Sequence, residues 1–460
     1  MNRASSRTDS LNDGADNISE ADSGAPKNES SIFWIFRSLI NIAKKNSVLA
    51  LFDQGIVSAT RFATSVLIGR ICGPEDLAFY TIAFAILLLA MAVQEALISK
   101  PYTVFSQKFD ETRTRVFAGS VLLQHGVLAL LVAFTALAAG FFATQFDLGH
   151  SKLILVILLL ALMIPFTLLW DLLRRITFAH LNMQQAAIMD ATLAVLQLSL
   201  LVGLAYFGQL YLQSAVLAIT FATAFVGLLW LGLRRKHFQL DRSVFKDDCR
   251  KNWNFGNWLL ASQLIGTVHG YAVPWVLTFL LGATTTGIFV AAQSIVLLTN
   301  PLILGMGNWL GPRAASTVAH SGLTELRNLI YLVSAAFTVL MFAFAIMFYF
   351  GGAFALEFLY GELYHSQHWV IAILGLCPVS WCLTLIFGNA LAVIEETSAI
   401  LWGTLAGTLT TFLLVVPFSN LWALEGAAGA LLAGSSVTAI YLFLIFSIRS
   451  GNSVVAGRVS

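Results

Sequence analysis

Apolar runs of membrane-spanning length follow one another along this chain. They fall at about 48–70, 76–98, 116–142, 152–172, 186–207, 211–233, 255–280, 285–310, 328–350, 368–391, 397–418 and 425–448. About 20 apolar residues in a helix cross the hydrocarbon core of a bilayer, and the breaks between these runs are too short to hold another layer of structure. The pattern therefore predicts an all-α polytopic membrane protein of twelve transmembrane helices. Pro165, Pro301 and Pro378 fall inside or beside apolar runs and predict kinks there.

The run at 48–70 differs from the others because a polar stripe is written into it. Gln54, Ser58, Arg61 and Ser65 are spaced i, i+4, i+7 and i+11, which places them on one narrow face of a helix. A charge at membrane depth costs roughly 2.5–3.5 kcal/mol on insertion scales, so such a face turns toward protein or toward a wet cavity. Gly73-Pro74 then sets a tight turn, and Glu75-Asp76 follow where negative charge suits the start of the next helix.

Composition agrees with this pattern: the 460 residues are 58% hydrophobic and 11% charged. Residues 1–30 are polar, and no apolar h-region follows a basic start, so they predict a disordered tail rather than a signal peptide. Residues 31–47 mix Phe33, Trp34 and Phe36 with Arg37, Lys44 and Lys45, as a juxtamembrane segment or an extension of the first span does. The four cysteines show neither metal-site nor disulfide spacing. With twelve helices, 23 of the 26 Lys and Arg residues fall on one face, which the positive-inside rule makes cytoplasmic, together with both termini. A basic connector at 234–254 separates a first bundle, 48–233, from a second, 255–449, and a short tail at 450–460 ends the chain. The halves repeat at the level of pattern: 70–89 lies on 279–298, pairing Gly73 with Gly282, Ala78 with Gly287 and Tyr80 with Phe289, and 212–218 lies on 424–430.

Four stretches carry a family likeness: ICGPEDLAFYTIAF (71–84), RRITFAHLNMQQAAIMDA (174–191), FLYGELYHSQHWVIAILGL (358–376) and LEGAAGALLAG (424–434). In their order and spacing the chain resembles the polysaccharide or lipid-linked oligosaccharide flippases of the multidrug/oligosaccharidyl-lipid/polysaccharide exporter superfamily. Ala78 is a departure, since that family commonly has Gly there. The resemblance implies a MATE-like fold, two six-helix bundles around a V-shaped central cleft. It also implies a transporter of a polyprenyl-pyrophosphate-linked oligosaccharide, working by alternating access in the inner membrane beside the polymerase and glycosyltransferases of the same pathway. It implies no cofactor, no metal and no nucleic-acid partner.

Candidate cavity residues follow from polarity within the spans. Arg61 is the only Lys or Arg deep in a predicted helix; it either contacts a phosphate or acidic sugar, or pairs with Asp53 or Asp190 to fix packing. Ser58, Ser65, Gln54 and Asn300 supply hydrogen-bonding groups. His269 and His125 either line the path or are bonded within the core. Asp53 and Asp190 are candidates for coupling to a cation. Arg174 and Arg175 read as topology determinants at the inner boundary. Two other functions compete. A drug or metabolite exporter of the same superfamily should carry a buried acid dedicated to cations. A glycan polymerase or ligase should carry catalytic residues on a large outside loop, and the 17-residue stretch 351–367, with Glu357, Glu362, His365 and His368, is the largest available.

Overall fold

The computed structural model describes residues 45–146, 151–180, 182–364 and 368–456; the expectations for the tail at 1–30 and for 31–44 lie outside these residues. Among the described residues all regular structure is helical. The first half holds α1 (Lys45–Ile71), α2 (Pro74–Gln94), α3 (Glu111–Gln145), α4 (Ser151–Ala179), α5 (Met183–Tyr206) and α6 (Leu212–Leu233). The second holds α7 (Arg242–Leu281), α8 (Ala283–Val296), α9 (Asn300–Tyr360), α10 (His368–Leu374), α11 (Cys377–Val393) and α12 (Thr397–Ala456). Eight helical stretches among the described residues are long and apolar enough to cross a membrane.

The helices α9 and α12 run for 61 and 60 residues, about three bilayer thicknesses if straight. Neither is straight. Gly322, at φ +83°, divides α9 into α9a (300–321) and α9b (323–360). Trp422 and Ala423, at φ −131° and +47°, divide α12 into α12a (397–421) and α12b (424–456).

The prolines act as their backbone chemistry requires. Pro301 and Pro378 sit in the first turns of α9a and α11, where no amide hydrogen is needed, so the helices restart there instead of kinking in mid-run. Pro165 is accommodated within α4. An unexpected bend of 40° lies between Tyr271 and Val273 of α7, next to Pro274.

Large apolar side chains face outward. On α3, Val127, Leu130, Leu131, Phe134, Leu137 and Phe141 form an exposed stripe at helical spacing, a surface that suits lipid rather than water. Each half keeps its own packed core: Ala78, Phe79, Leu160, Ile164 and Leu212 belong to one, and Leu310, Ile330, Ile386 and Phe446 to the other. A third core joins the halves and contains Ile68, Leu77, Leu210, Phe289, Tyr360 and Ala427. Those six residues lie at the helix ends away from the Lys- and Arg-rich loops. We call this the sealed end and the other the basic end.

The turns before α2 and α8 bear out the repeat at backbone level. Gly73 and Gly282 have φ/ψ of 92°/174° and 86°/165°, a left-handed conformation that favours glycine, and each directly precedes its helix. The two helices pack against each other closely enough that a Cβ on Gly287 would stand 1.7 Å from the Pro74 carbonyl oxygen.

Two expectations about loops change. The basic connector is helical from Arg242, because Asp241 caps α7 by accepting from the Ser243 amide (2.9 Å). That amide and the Ser243 hydroxyl hold the Asp241 carboxyl below its ordinary range. Residues 242–256 then dock on the first half: Arg113 pairs with Asp248 through both carboxylate oxygens, and Asn252 Nδ2 donates to Gln124 Oε1 (2.9 Å). The stretch 351–367, expected as an outside loop, is helical as far as Tyr360, where α9b ends. His365 lies outside the described residues, and the His368 ring meets Tyr349 and Trp369 edge-on.

Candidate functional site

The polar stripe of α1 opens into a cavity of about 260 Å³ between the halves. Gln54, Ser58, Arg61 and Ser65 line one wall, and Gln293, Ser294 and Asn300, from α8 and the start of α9a, line the facing one. Tyr80 of α2 and Tyr271 of α7 complete it. Helical spacing alone put the first four on one face. No carboxylate lines this cavity among the described residues. Arg61 is exposed to it, its guanidinium 5.6 Å from the centre of the Phe84 ring. It pairs with neither Asp53 nor Asp190, because Arg174 holds both.

Tyr360 closes the cavity toward the sealed end. Its hydroxyl lies 3.0 Å from Ser65 Oγ and 2.5 Å from Ser294 Oγ. Ser294 gives its own proton to the Ala291 carbonyl (2.7 Å), so Tyr360 donates to Ser294 and accepts from Ser65. Beyond it, Tyr364 donates to the Gly69 carbonyl (2.8 Å) and Arg70 Nη1 donates to the Phe358 carbonyl (2.6 Å). These bonds tie α1 to the end of α9b and the turn that follows it.

Behind Arg61 a smaller chamber of about 70 Å³ lies within the first half, lined by Thr60, Trp170, Asp190, Gln197 and Thr223. Arg61, Tyr80 and Phe84 belong to both chambers and form the partition. At its basic end Arg174 Nη2 donates to Asp53 Oδ2 (2.5 Å), and Arg174 Nε donates to Asp190 Oδ2. Both carboxylates are almost fully buried, and the second oxygen of each has no partner. Two carboxylates on one guanidinium leave a single negative charge uncompensated. Removing one member of a buried pair costs about 3–5 kcal/mol, so this triad is a strong local constraint.

Arg175 makes a second network, with Asp171 (2.8 Å) and Glu95 (3.0 Å). The expectation that Arg174 and Arg175 face lipid headgroups is corrected: both are drawn inward by carboxylates of α1, α4 and α5 and by Glu95, just beyond α2. His125 belongs to that second network, its Nδ1 2.9 Å from Gln94 Oε1, and it lies apart from the cleft. His269 also lies away from the lining; its Nδ1 is 3.1 Å from Thr408 Oγ1 on α12a. Tyr80, Tyr271, Trp170 and Tyr360 were not among the expected site residues. Two of them were visible within matched motifs, Tyr80 in 71–84 and Tyr360 in 358–376, but an aromatic residue in an apolar run carries no sign of which way it points.

Comparison with known proteins follows this geometry. The family described as "Polysaccharide biosynthesis protein" matches residues 43–318. The search of curated protein sequences returned no match. Among solved structures, an inward-facing multidrug resistance MATE family transporter of the MOP superfamily is similar, with 16% identity and a TM-score of 0.72 over 85% of this chain and 94% of that one. An outward-facing transporter of that family gives 15% identity and a TM-score of 0.63, covering 88% of this chain and 94% of its own. A MOP superfamily transporter from Pyrococcus furiosus gives 15% identity and a TM-score of 0.64, also over 88% and 94% of the two chains. At these identities the likeness is one of fold. With more than half its length matched and that fold in place, the chain belongs to the polysaccharide biosynthesis protein family of the MOP exporter superfamily.

Proposed function

We propose that this transporter flips a polyprenyl-pyrophosphate-linked oligosaccharide across the inner membrane by alternating access, with twelve passes and both termini cytoplasmic. The observation that carries the reading is Arg61: its guanidinium meets no carboxylate among the described residues and is exposed to a polar cavity between two half-bundles that are sealed together at one end. A pyrophosphate cannot enter hydrocarbon unaided, since each unsatisfied polar group costs several kcal/mol there. A fixed guanidinium with flanking hydroxyl and amide groups replaces its hydration, while the polyprenyl chain stays in lipid. The breaks at Gly322 and Trp422–Ala423 support the twelve-pass count, and the positive-inside rule supports a cytoplasmic basic end.

The Asp53–Arg174–Asp190 triad is the coupling element of this proposal. One proton or monovalent cation neutralises its residual charge, and its chamber adjoins Arg61, so its occupancy and the headgroup's are felt across one partition. The buried acid that the drug-exporter reading calls for is present in this triad as well, so the cleft lining is what favours an anionic substrate: among the described residues it carries a guanidinium and no carboxylate.

The test is flipping of fluorescent polyprenyl-pyrophosphate oligosaccharide in proteoliposomes. Arg61→Ala abolishes it with the protein still folded, and Arg61→Lys restores part. Undiminished flipping by the alanine variant refutes the mechanism.

A further inference from the structure

A second polar cavity, of about 450 Å³, lies within the first half at the basic end, away from both chambers described above. Its volume is in the range of ligand pockets. Residues 102–107, the start of α3, the end of α4, the end of α6 and the turn Arg235–His237 enclose it. Its floor is apolar, from Ala118, Leu173 and Ile176, and its rim carries two guanidiniums, Arg115 and Arg234. Arg115 is neutralised by Glu111 (2.5 Å), whereas Arg234 meets no carboxylate among the described residues. Gln107, Asn182 and His237 add polar side chains to the same lining.

We propose that this cavity binds a phosphate group, gripped by the Arg234 guanidinium. The guanidinium fork matches phosphate oxygens in a way a lone ammonium does not. A basic pocket between helices where they leave the bilayer is also how membrane proteins take anionic headgroups. Two sources share this chemistry: an anionic phospholipid, with its acyl chains along the apolar floor, and a free phosphate. The site is distinct from the cleft and controls a different element. The Gln239 amide, just beyond the enclosing turn, donates to the Arg115 carbonyl (3.0 Å), so the bound phosphate braces the connector that leads into α7.

The experiment is thermal unfolding of purified, full-length protein in detergent, titrated separately with dioleoylphosphatidylglycerol, dioleoylphosphatidylcholine and inorganic phosphate. The wild type is stabilised saturably by phosphatidylglycerol beyond phosphatidylcholine, by inorganic phosphate, or by both, and the arms name the source. Arg234→Gln weakens that response on the order of 10-fold and Arg234→Lys weakens it less, while Arg61→Gln leaves it unchanged. Arg234 meets no carboxylate among the described residues, so its replacement breaks no ion pair there. Absence of any specific stabilisation overturns the proposal. So does a response that survives Arg234→Gln, or one that disappears in Arg61→Gln.

Discussion

Tyr360 on α9b and Ser65 on α1 lie 295 residues apart in sequence and 3.0 Å apart at their oxygens. With Ser294 as the third member, this short chain of hydroxyls closes the sealed end above the cavity. Tyr360→Phe removes two buried hydrogen bonds at about 0.5–1.5 kcal/mol each, enough to shift a two-state equilibrium on the order of 10-fold toward opening at that end. In a cysteine-free background, a cysteine at Gln293, which lines the cavity beside the chain, should then react faster with an impermeant thiol reagent added outside. Unchanged labelling means the hydroxyl chain does not hold the seal.

The Gly287 contact tests the same seal by bulk instead of bonding. Gly287→Ala puts a methyl group 1.7 Å from the Pro74 carbonyl oxygen, a separation that cannot persist. The expected outcome is a population displaced toward the outward-open state, seen as faster labelling of the same cysteine, with a lower Tm. Wild-type labelling would show that α2 and α8 separate at no cost.

Arg174 should matter to stability and Arg61 should not. Arg174→Ala leaves two buried carboxylates without their cation, a loss of about 3–5 kcal/mol. Combining it with Asp53→Asn and Asp190→Asn should recover much of the lost Tm, because the unpaired charges go as well. Arg61→Ala, facing a cavity with no ion pair, should stay within about 0.5 kcal/mol of wild type. A stable Arg174→Ala protein would mean the triad is solvated in the membrane.

Orientation is checked with cysteines at Gly361 and Lys246, which sit at opposite ends of the helices. They should label from opposite sides of the membrane. Labelling from one side removes the twelve-pass count.

The stripe on α1 and the duplicated turn were legible in sequence because helical spacing and left-handed glycine leave periodic marks. Gln54, Ser58, Arg61, Ser65 and Asn300 do converge on one cavity. The partners of Arg174 were not legible. A charged side chain beside a membrane boundary reads the same whether it turns outward to headgroups or inward to carboxylates; only tertiary packing decides, and here Asp53, Asp171 and Asp190 decide it. For the two histidines the sequence left lining the path and bonding within the core both open, because the partner of each, Gln94 or Thr408, stands on another helix. The extent of α7 was missed because Arg242–Lys251 is too polar to look like part of a span, although a capped helix needs no apolar run to begin.

That helix carries a mechanical consequence. Its first turns are fastened to Arg113 and Gln124 in one half, and its later turns reach Thr408 in the other. Under the alternating access proposed above, a rod fastened at two places keeps the halves from drifting apart while they tilt, and the Pro274 elbow is where it gives. One doorway would then close as its opposite yawns, with leakage forestalled by a tether rather than by timing.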